Sequence, residues 1–121
     1  MQKLAKREEQ IMQVVWDLGE AFVKDVIEGL PEPKPHYNTV ATMVKILTEK
    51  GFLQAEKFGN TFRYTPLVTL ADYRKQDVAT IKEKYFGNSF TKMMTHFAKE
   101  ENLSDDELDE LVRMIKSKKT S

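Results

Sequence analysis

A chain of 121 residues, 31% of them charged, has room for one ordinary domain, or for one small domain with an appended interaction segment. Its 19 basic and 19 acidic residues cancel, so bulk charge makes no argument for a nucleic-acid partner, and any such argument must rest on local patterning. The lack of cysteine excludes disulfides, thiolate metal sites and cysteine nucleophiles; with no apolar run near the roughly 20 residues of a membrane span, and a polar start unlike a signal peptide, a cytoplasmic location is expected.

The first helix is expected over Lys3 to Leu18. Ile11, Val15 and Leu18 line one stripe, widened by Met12, Val14 and Trp16, while Lys6, Arg7, Glu8, Glu9, Gln10 and Asp17 stay outside and Gly19 ends the helix. A shorter helix follows at about Val23 to Gly29, where Val23, Val26, Ile27 and Leu30 repeat the pattern. Pro31, Pro33 and Pro35 then forbid helix and favour an extended connection, longer than the three or four residues of a tight helix-turn-helix. From Tyr37 to Gly51, Val40, Met43, Val44 and Leu47 recur at the i, i+3, i+4, i+7 spacing of one buried face, and Gly51 is a natural stop. The other face carries Asn38, Ala41, Thr42, Lys45 and Glu49, mostly short side chains that allow close approach to a surface.

Two strands come next, Phe52 to Phe58 and Thr61 to Thr65, joined by Gly59-Asn60. A two-residue turn there sets Phe58 opposite Thr61, Lys57 opposite Phe62, Glu56 opposite Arg63 and Ala55 opposite Tyr64. Alternation puts Leu53, Ala55, Phe62 and Tyr64 on the inner face and Gln54, Glu56, Arg63 and Thr65 outside. Pro66 closes the second strand. A helix that leads directly into a hairpin describes a winged helix.

Beyond Pro66 the pattern is helical. Leu70, Tyr73, Asp77, Ile81, Lys84 and Tyr85 predict a long helix with a partial apolar stripe, ending at Gly87. The next, opened by Asn88 or Ser89, carries Phe90, Met93, Met94 and Phe97 at helical spacing. A last helix starts at Leu103-Ser104-Asp105-Asp106-Glu107-Leu108, where Ser104 and Glu107 form a capping box, Leu103 and Leu108 a hydrophobic staple, and Asp105 and Asp106 suit the positive helix end. Its stripe is Leu108, Leu111, Val112 and Ile115. These wide apolar faces have no intramolecular partner large enough to cover them, which predicts a homodimer joined through Phe86, Phe90, Met93, Met94, Phe97, Leu108, Leu111, Val112 and Ile115. The expected fold class is mainly α with minor β: a winged helix-turn-helix with a two- to three-stranded wing over residues 1–70, then a helical dimerisation domain over 71–121.

In the order and spacing of its motifs, nearly the whole chain resembles the penicillinase and methicillin-resistance repressors, small bacterial winged-helix dimers. The resemblance is carried by Glu9-Gln10-Ile11-Met12 with Val15-Trp16; by Asn38-Thr39-Val40-Ala41-Thr42-Met43 with Leu47 and Lys50-Gly51-Phe52-Leu53; and downstream by Tyr64-Thr65-Pro66, Tyr85-Phe86-Gly87-Asn88-Ser89 and Leu103-Ser104-Asp105-Asp106-Glu107-Leu108 with Leu111. It implies a homodimer that binds a palindromic double-stranded DNA operator and is released when a membrane sensor metalloprotease cuts the dimerisation domain. The studied members are cut between asparagine and phenylalanine, at the places held here by His96 and Phe97. Ile46 stands where the family often has arginine, and Ala41 where it often has a long polar residue, which implies a thinner contact set and a different operator. A related branch senses copper through C-terminal cysteines, and the absence of cysteine removes that reading.

Individual residues keep two readings. Thr39 and Thr42 offer hydroxyls to phosphate or a base edge and methyls to thymine, or are simply exposed; with the resemblance, contact is favoured. Asn38 pairs with adenine or phosphate, or caps its helix. Tyr37 lies on a backbone sugar or packs into the proline loop. Lys45 and Lys50 are natural phosphate partners, though lone lysines on a helix are usually just solvated. Arg63 reaches a minor-groove phosphate, or pairs across the strands with Glu56. Lys57, near the turn, has no such competitor. Trp16 reads as a core aromatic and Met93 with Met94 as interface packing, not as a cofactor site. His36 and His96 are far apart in sequence and lack acidic companions at a metal-site spacing, so no metal and no cofactor is expected. Without a phosphate loop or a nucleophile constellation, no enzyme is expected. The competing class is a protein-interaction scaffold whose winged helix has lost DNA binding.

Overall fold

Apolar spacing alone accounts for most of the elements. The computed structural model describes residues 3–119, in the order α1 (Lys6–Leu18), β1 (Ala21–Phe22), α2 (Val23–Gly29), α3 (Tyr37–Glu49), β2 (Leu53–Phe58), β3 (Thr61–Pro66), α4 (Leu70–Phe86), α5 (Phe90–Glu100) and α6 (Asp105–Lys119). The chain divides into two compact units, the first running to Gln76 and the second starting at Asp77, so the division falls within α4. Among the described residues no helix is long and apolar enough to cross a membrane.

In the first unit, α1, α2 and α3 turn Ile11, Met12, Val15, Val26, Val40, Val44 and Leu47 into one core with Leu30, Phe52 and Leu53. α2 ends close against α1: a Cβ on Gly29 would lie 2.6 Å from Val14 Cγ1, a distance only glycine avoids. The proline-rich connection is tied to the end of α2 by Lys34, whose Nζ donates to Glu28 O at 2.9 Å and also to Leu30 O. A cation on the last carbonyls of a helix is favourably placed against the helix dipole.

Gly51, at φ +84°, turns the chain out of α3 and into β2. β2 and β3 pair antiparallel, with Phe58 opposite Thr61, Lys57 opposite Phe62, Glu56 opposite Arg63 and Ala55 opposite Tyr64, as the two-residue turn predicts. Gly59 alone takes positive φ in that turn (+58°), the pattern of type II′ rather than type I′. β1 adds a third strand on the other edge of β3, giving the order β1-β3-β2, with Ala21 opposite Tyr64 and Phe22 opposite Arg63.

Three sequence expectations are corrected here. Leu18, assigned to the buried stripe, is 54% exposed because α1 ends with it and Gly19 carries the chain away. Ala55 and Phe62, assigned to the inner face of the hairpin, are exposed, and only Leu53 and Tyr64 of that face are buried. Glu8, assigned to the outside, is buried. Its Oε1 accepts from Ala5 N at 2.9 Å, satisfying one of the unpaired N–H groups at the start of α1, and its Oε2 accepts from Lys50 Nζ at 2.8 Å.

Tyr73, near the start of α4, closes the core. Its ring meets Trp16 and Phe52 at centroid distances of 5.6 and 5.9 Å; its hydroxyl accepts from Leu4 N at 3.2 Å and donates to Glu9 Oε1 at 2.8 Å. Trp16 Nε1 donates to Val68 O at 2.8 Å, so the approach to α4 is fastened to α1 as well.

In the second unit, Ser89 caps α5 by accepting from Lys92 N at 3.1 Å. Ser104 and Glu107 form the expected capping box, Glu107 N donating to Ser104 Oγ at 3.1 Å and Ser104 N to Glu107 Oε1 at 3.4 Å. Met93 is buried, while Phe90, Phe97, Leu111, Val112, Met114 and Ile115 remain exposed.

The Lys50 hydrogen bond is the main cause that holds the Glu8 carboxyl below its ordinary value of 4.5; burial opposes it, and the Ala5 N–H adds to the lowering. A depressed carboxylate stabilises the fold fully above its unfolded value and loses that contribution as pH falls through the folded one. Lys50→Met is therefore expected to cost about 1.5 to 3 kcal/mol at neutral pH, the range for hydrogen bonds to charged groups, and to flatten the decline in stability below pH 4.5. Urea unfolding across the acid range measures both, and an unchanged acid limb contradicts the assignment.

Candidate nucleic-acid interface

α3 begins at Tyr37 with His36 in the N-cap position (φ −62°, ψ 146°), so Asn38 is the second helical residue and does not cap. Its amide is thereby left on the exposed first turn beside Thr39. That turn carries no acidic residue, and its backbone N–H groups and helix dipole present an uncompensated positive end. Thr42 and Lys45 continue the exposed face, with Ala41 half-buried between them. Tyr37 is 53% exposed and borders an open cleft with Phe22, Lys24, Asp25 and Thr61. Burial, and secondarily the neighbouring Tyr37 phenol, push the Tyr64 hydroxyl above its ordinary value of 10.0.

The structure divides the four predicted cations into two groups. Lys45 and Lys57 project from α3 and β2 as exposed side chains. Lys50 is engaged with Glu8. Arg63 is held on both sides, Nη1 lying 3.3 Å from Glu20 and Nη2 3.0 Å from Glu56, with its guanidinium 4.5 Å from the centre of the Phe58 ring. Phe58 in turn meets Phe22 edge-on at 6.1 Å. Arg63 thus ties β3 to β2, to the turn before β1 and to the aromatic tip of the wing. The cross-strand register made the Glu56 partner legible; Glu20 was not, because β1 is only two residues long and left no periodicity to read.

Phe86, His96 and Phe97 form a cluster of three rings in the second unit, at centroid distances of 5.4, 5.7 and 5.5 Å. The bond between His96 and Phe97 lies inside α5. Phe97 is 41% exposed and Phe90 54%, whereas Met93 is turned inward, so the apolar stripe divides into a buried residue and an open edge. Phe86, Met94 and Leu108 are partly buried. Among the described residues no group of histidine, aspartate and glutamate is arranged to hold a metal.

Three helices around one core, with α3 bare on one face and a β2–β3 wing beyond it, define a winged-helix protein. The sequence profile of the penicillinase repressor family matches residues 4–117, and the chain belongs to that family. It is 26% identical over 117 residues to the methicillin resistance regulatory protein MecI of Staphylococcus aureus strain N315, covering 96% of this chain and 95% of that one. It is 25% identical over 118 residues to the penicillinase repressor of Bacillus licheniformis, covering 97% and 92%. Among solved structures, the DNA-binding domain of the repressor BlaI is similar at a TM-score of 0.52 and 31% identity, covering 60% of this chain and 94% of that one. The monomeric form of Bacillus licheniformis BlaI, solved with the blaP half-operator, is similar at 0.50 and 30%, covering 60% and 89%.

Since Glu20 and Glu56 are both largely exposed, Arg63→Ala is expected to cost no more than about 1 kcal/mol of global stability. Its effect should instead be local, raising hydrogen exchange at the amides of β2 and β3. Wing amides as protected as before show that the arginine does not hold the wing.

Proposed function

We propose that the chain is a transcriptional repressor that binds a palindromic operator as a homodimer, with α3 in the major groove and the wing against the adjoining backbone. The observation that carries this reading is the bare face of α3. It joins a helix start free of acidic residues to Asn38, Thr39, Thr42 and Lys45, small or polar side chains able to approach base edges and phosphates. Tyr37 at one end of that face and Lys57 on the wing extend the contact, while Lys50 and Arg63 contribute only if their ion pairs open. The first unit is assigned to DNA, and the second to dimerisation through the exposed edges of α5 and α6. Such work places the protein in the cytoplasm. Release follows from cleavage between His96 and Phe97 by a membrane sensor metalloprotease. Because that bond lies within α5, cutting requires the helix to open locally first.

Lys45→Ala and Lys57→Ala are each expected to weaken binding to all duplex sequences by similar factors and to flatten the salt dependence by about one unit of log-log slope. Thr42→Ala should alter preference among operator variants instead. Fluorescence anisotropy at several salt concentrations reads both, and a protein with no measurable duplex affinity at low salt refutes the DNA reading in favour of a scaffold.

Phe97→Ala tests the dimer. Truncating a phenylalanine that becomes buried costs on the order of 3 to 5 kcal/mol, and a two-fold interface loses it twice. The variant should be largely monomeric by analytical ultracentrifugation and fail in a gel shift on a palindromic site, with its winged helix still folded. A dimer that persists at micromolar concentration places the interface elsewhere.

A further inference from the structure

Between α3 and the wing lies a cleft of about 470 Å³, with Ala41, Lys45, Thr48 and Glu49 on the helix side and Ala55, Phe62 and Tyr64 on the sheet side. Its walls are mostly carbon. Phe62 stands in it 44% exposed: Lys57 is its partner across the strands, and the small side chains of Ala55 on the sheet and Ala41 across the cleft do not cover the ring. A solvent-exposed phenylalanine of this kind, on the face of a hairpin turned toward a helix, costs apolar hydration until something covers it.

We propose that this cleft seats one sugar-phosphate unit of the operator backbone, Phe62 and Ala55 packing against the carbon face of a deoxyribose while Lys45 holds the adjoining phosphate. The inference rests on the DNA-binding reading and extends it to residues with no charge and no hydrogen-bonding group. Three observations converge on this occupant. The cleft is continuous with the bare face of α3, since Ala41 and Lys45 belong to both. A strand that runs from a helix in the major groove to a wing beside it must cross between the two. A DNA backbone alternates an anion with an apolar sugar, and the cleft alternates likewise, with one cation at its edge and carbon walls beyond. Glu49 repels a second phosphate, so the site accepts a single unit and fixes register rather than tracking along the strand.

The test uses the full-length protein and a duplex selected from a randomised library by the unaltered protein. Phe62→Ala is expected to weaken binding by on the order of tenfold per half-site, from the apolar area left uncovered, with the salt slope unchanged. Phe62→Leu should restore most of the affinity. To separate contact from folding, the protein is labelled with 4-fluorophenylalanine, and the Phe62 fluorine signal is identified by its loss in Phe62→Leu. That signal should shift on adding duplex and lose its relaxation by a soluble paramagnetic agent. A fluorine signal unmoved by duplex that the protein nevertheless binds overturns the inference and leaves the DNA reading standing. So does a salt slope that falls by about one unit in Phe62→Ala, because the ring then acts only by placing Lys45. Protection that arises without DNA as protein concentration rises makes the cleft a contact between copies, and also overturns it.

Discussion

The ion pair between Glu8 and Lys50 fixes the relation between the first helix and the third. At 2.8 Å, with side chains 9% and 27% exposed, it links the first turn of α1 to the residue that caps the end of α3. One carboxylate serves two ends: Oε1 satisfies a backbone N–H at the start of α1, and Oε2 receives the ammonium at the close of α3. Hydrophobic contact alone is non-directional and leaves a helix able to roll or slide on its core. A charged hydrogen bond at its far end limits both. Val40, Val44 and Leu47 thus stay inward, which keeps Asn38, Thr42 and Lys45 outward. Gly51 then turns the chain one residue beyond this anchor, so the wing inherits its starting position from the same pair.

A second fixed point is Tyr73, whose ring closes the core over Trp16 and Phe52 while its hydroxyl bridges Leu4 and Glu9. It is the only residue of α4 that is buried. The rest of that helix exposes Val78, Ile81 and Tyr85, and its apolar residues do not form a continuous stripe. A helix buried at Tyr73, exposed at Val78, Ile81 and Tyr85, and packed again at Phe86 against His96 and Phe97 has the character of a connector. The apolar surface that follows is concentrated on α5 and α6, each begun by a serine cap that holds the helix without help from a deep core.

Helices with regular periodicity were legible in the sequence, since three or four apolar residues at helical spacing admit few other readings. The hairpin register was equally legible, because Gly59-Asn60 leaves one pairing for a two-residue turn. What escaped was carried by polar residues acting at a distance in sequence. Glu8 reads as one more charge on a solvated face until Lys50, 42 positions later, is brought to it. Arg63 shows its Glu56 partner through strand alternation but not Glu20, which a two-residue strand delivers. Asn38 resembles a helix cap in any local reading, and only the extended backbone at His36 frees it. Alternation puts Phe62 inward, but alternation names a face and does not say whether anything lies against it.

The balance of charge sets how a protein of this kind can hold DNA. With 19 charges of each sign, net charge supplies no attraction to a polyanion, and two of the four cations predicted for the interface are already paired within the fold. On the proposed reading few phosphates are neutralised per half-site, so each half binds weakly and with modest salt dependence. Useful affinity must then come from joining two halves, where the second binding event is intramolecular and gains from a high effective concentration. On that reading, control of the protein lies away from the surface proposed to read DNA. A repressor with a strongly basic recognition face would retain affinity as a monomer, whereas one with Lys45 as the lone cation on that face would, on the proposed reading, depend on a dimer joined through α5 and α6. The sparse charge of the first unit and the uncovered apolar edges of the second are, in that sense, two sides of one arrangement.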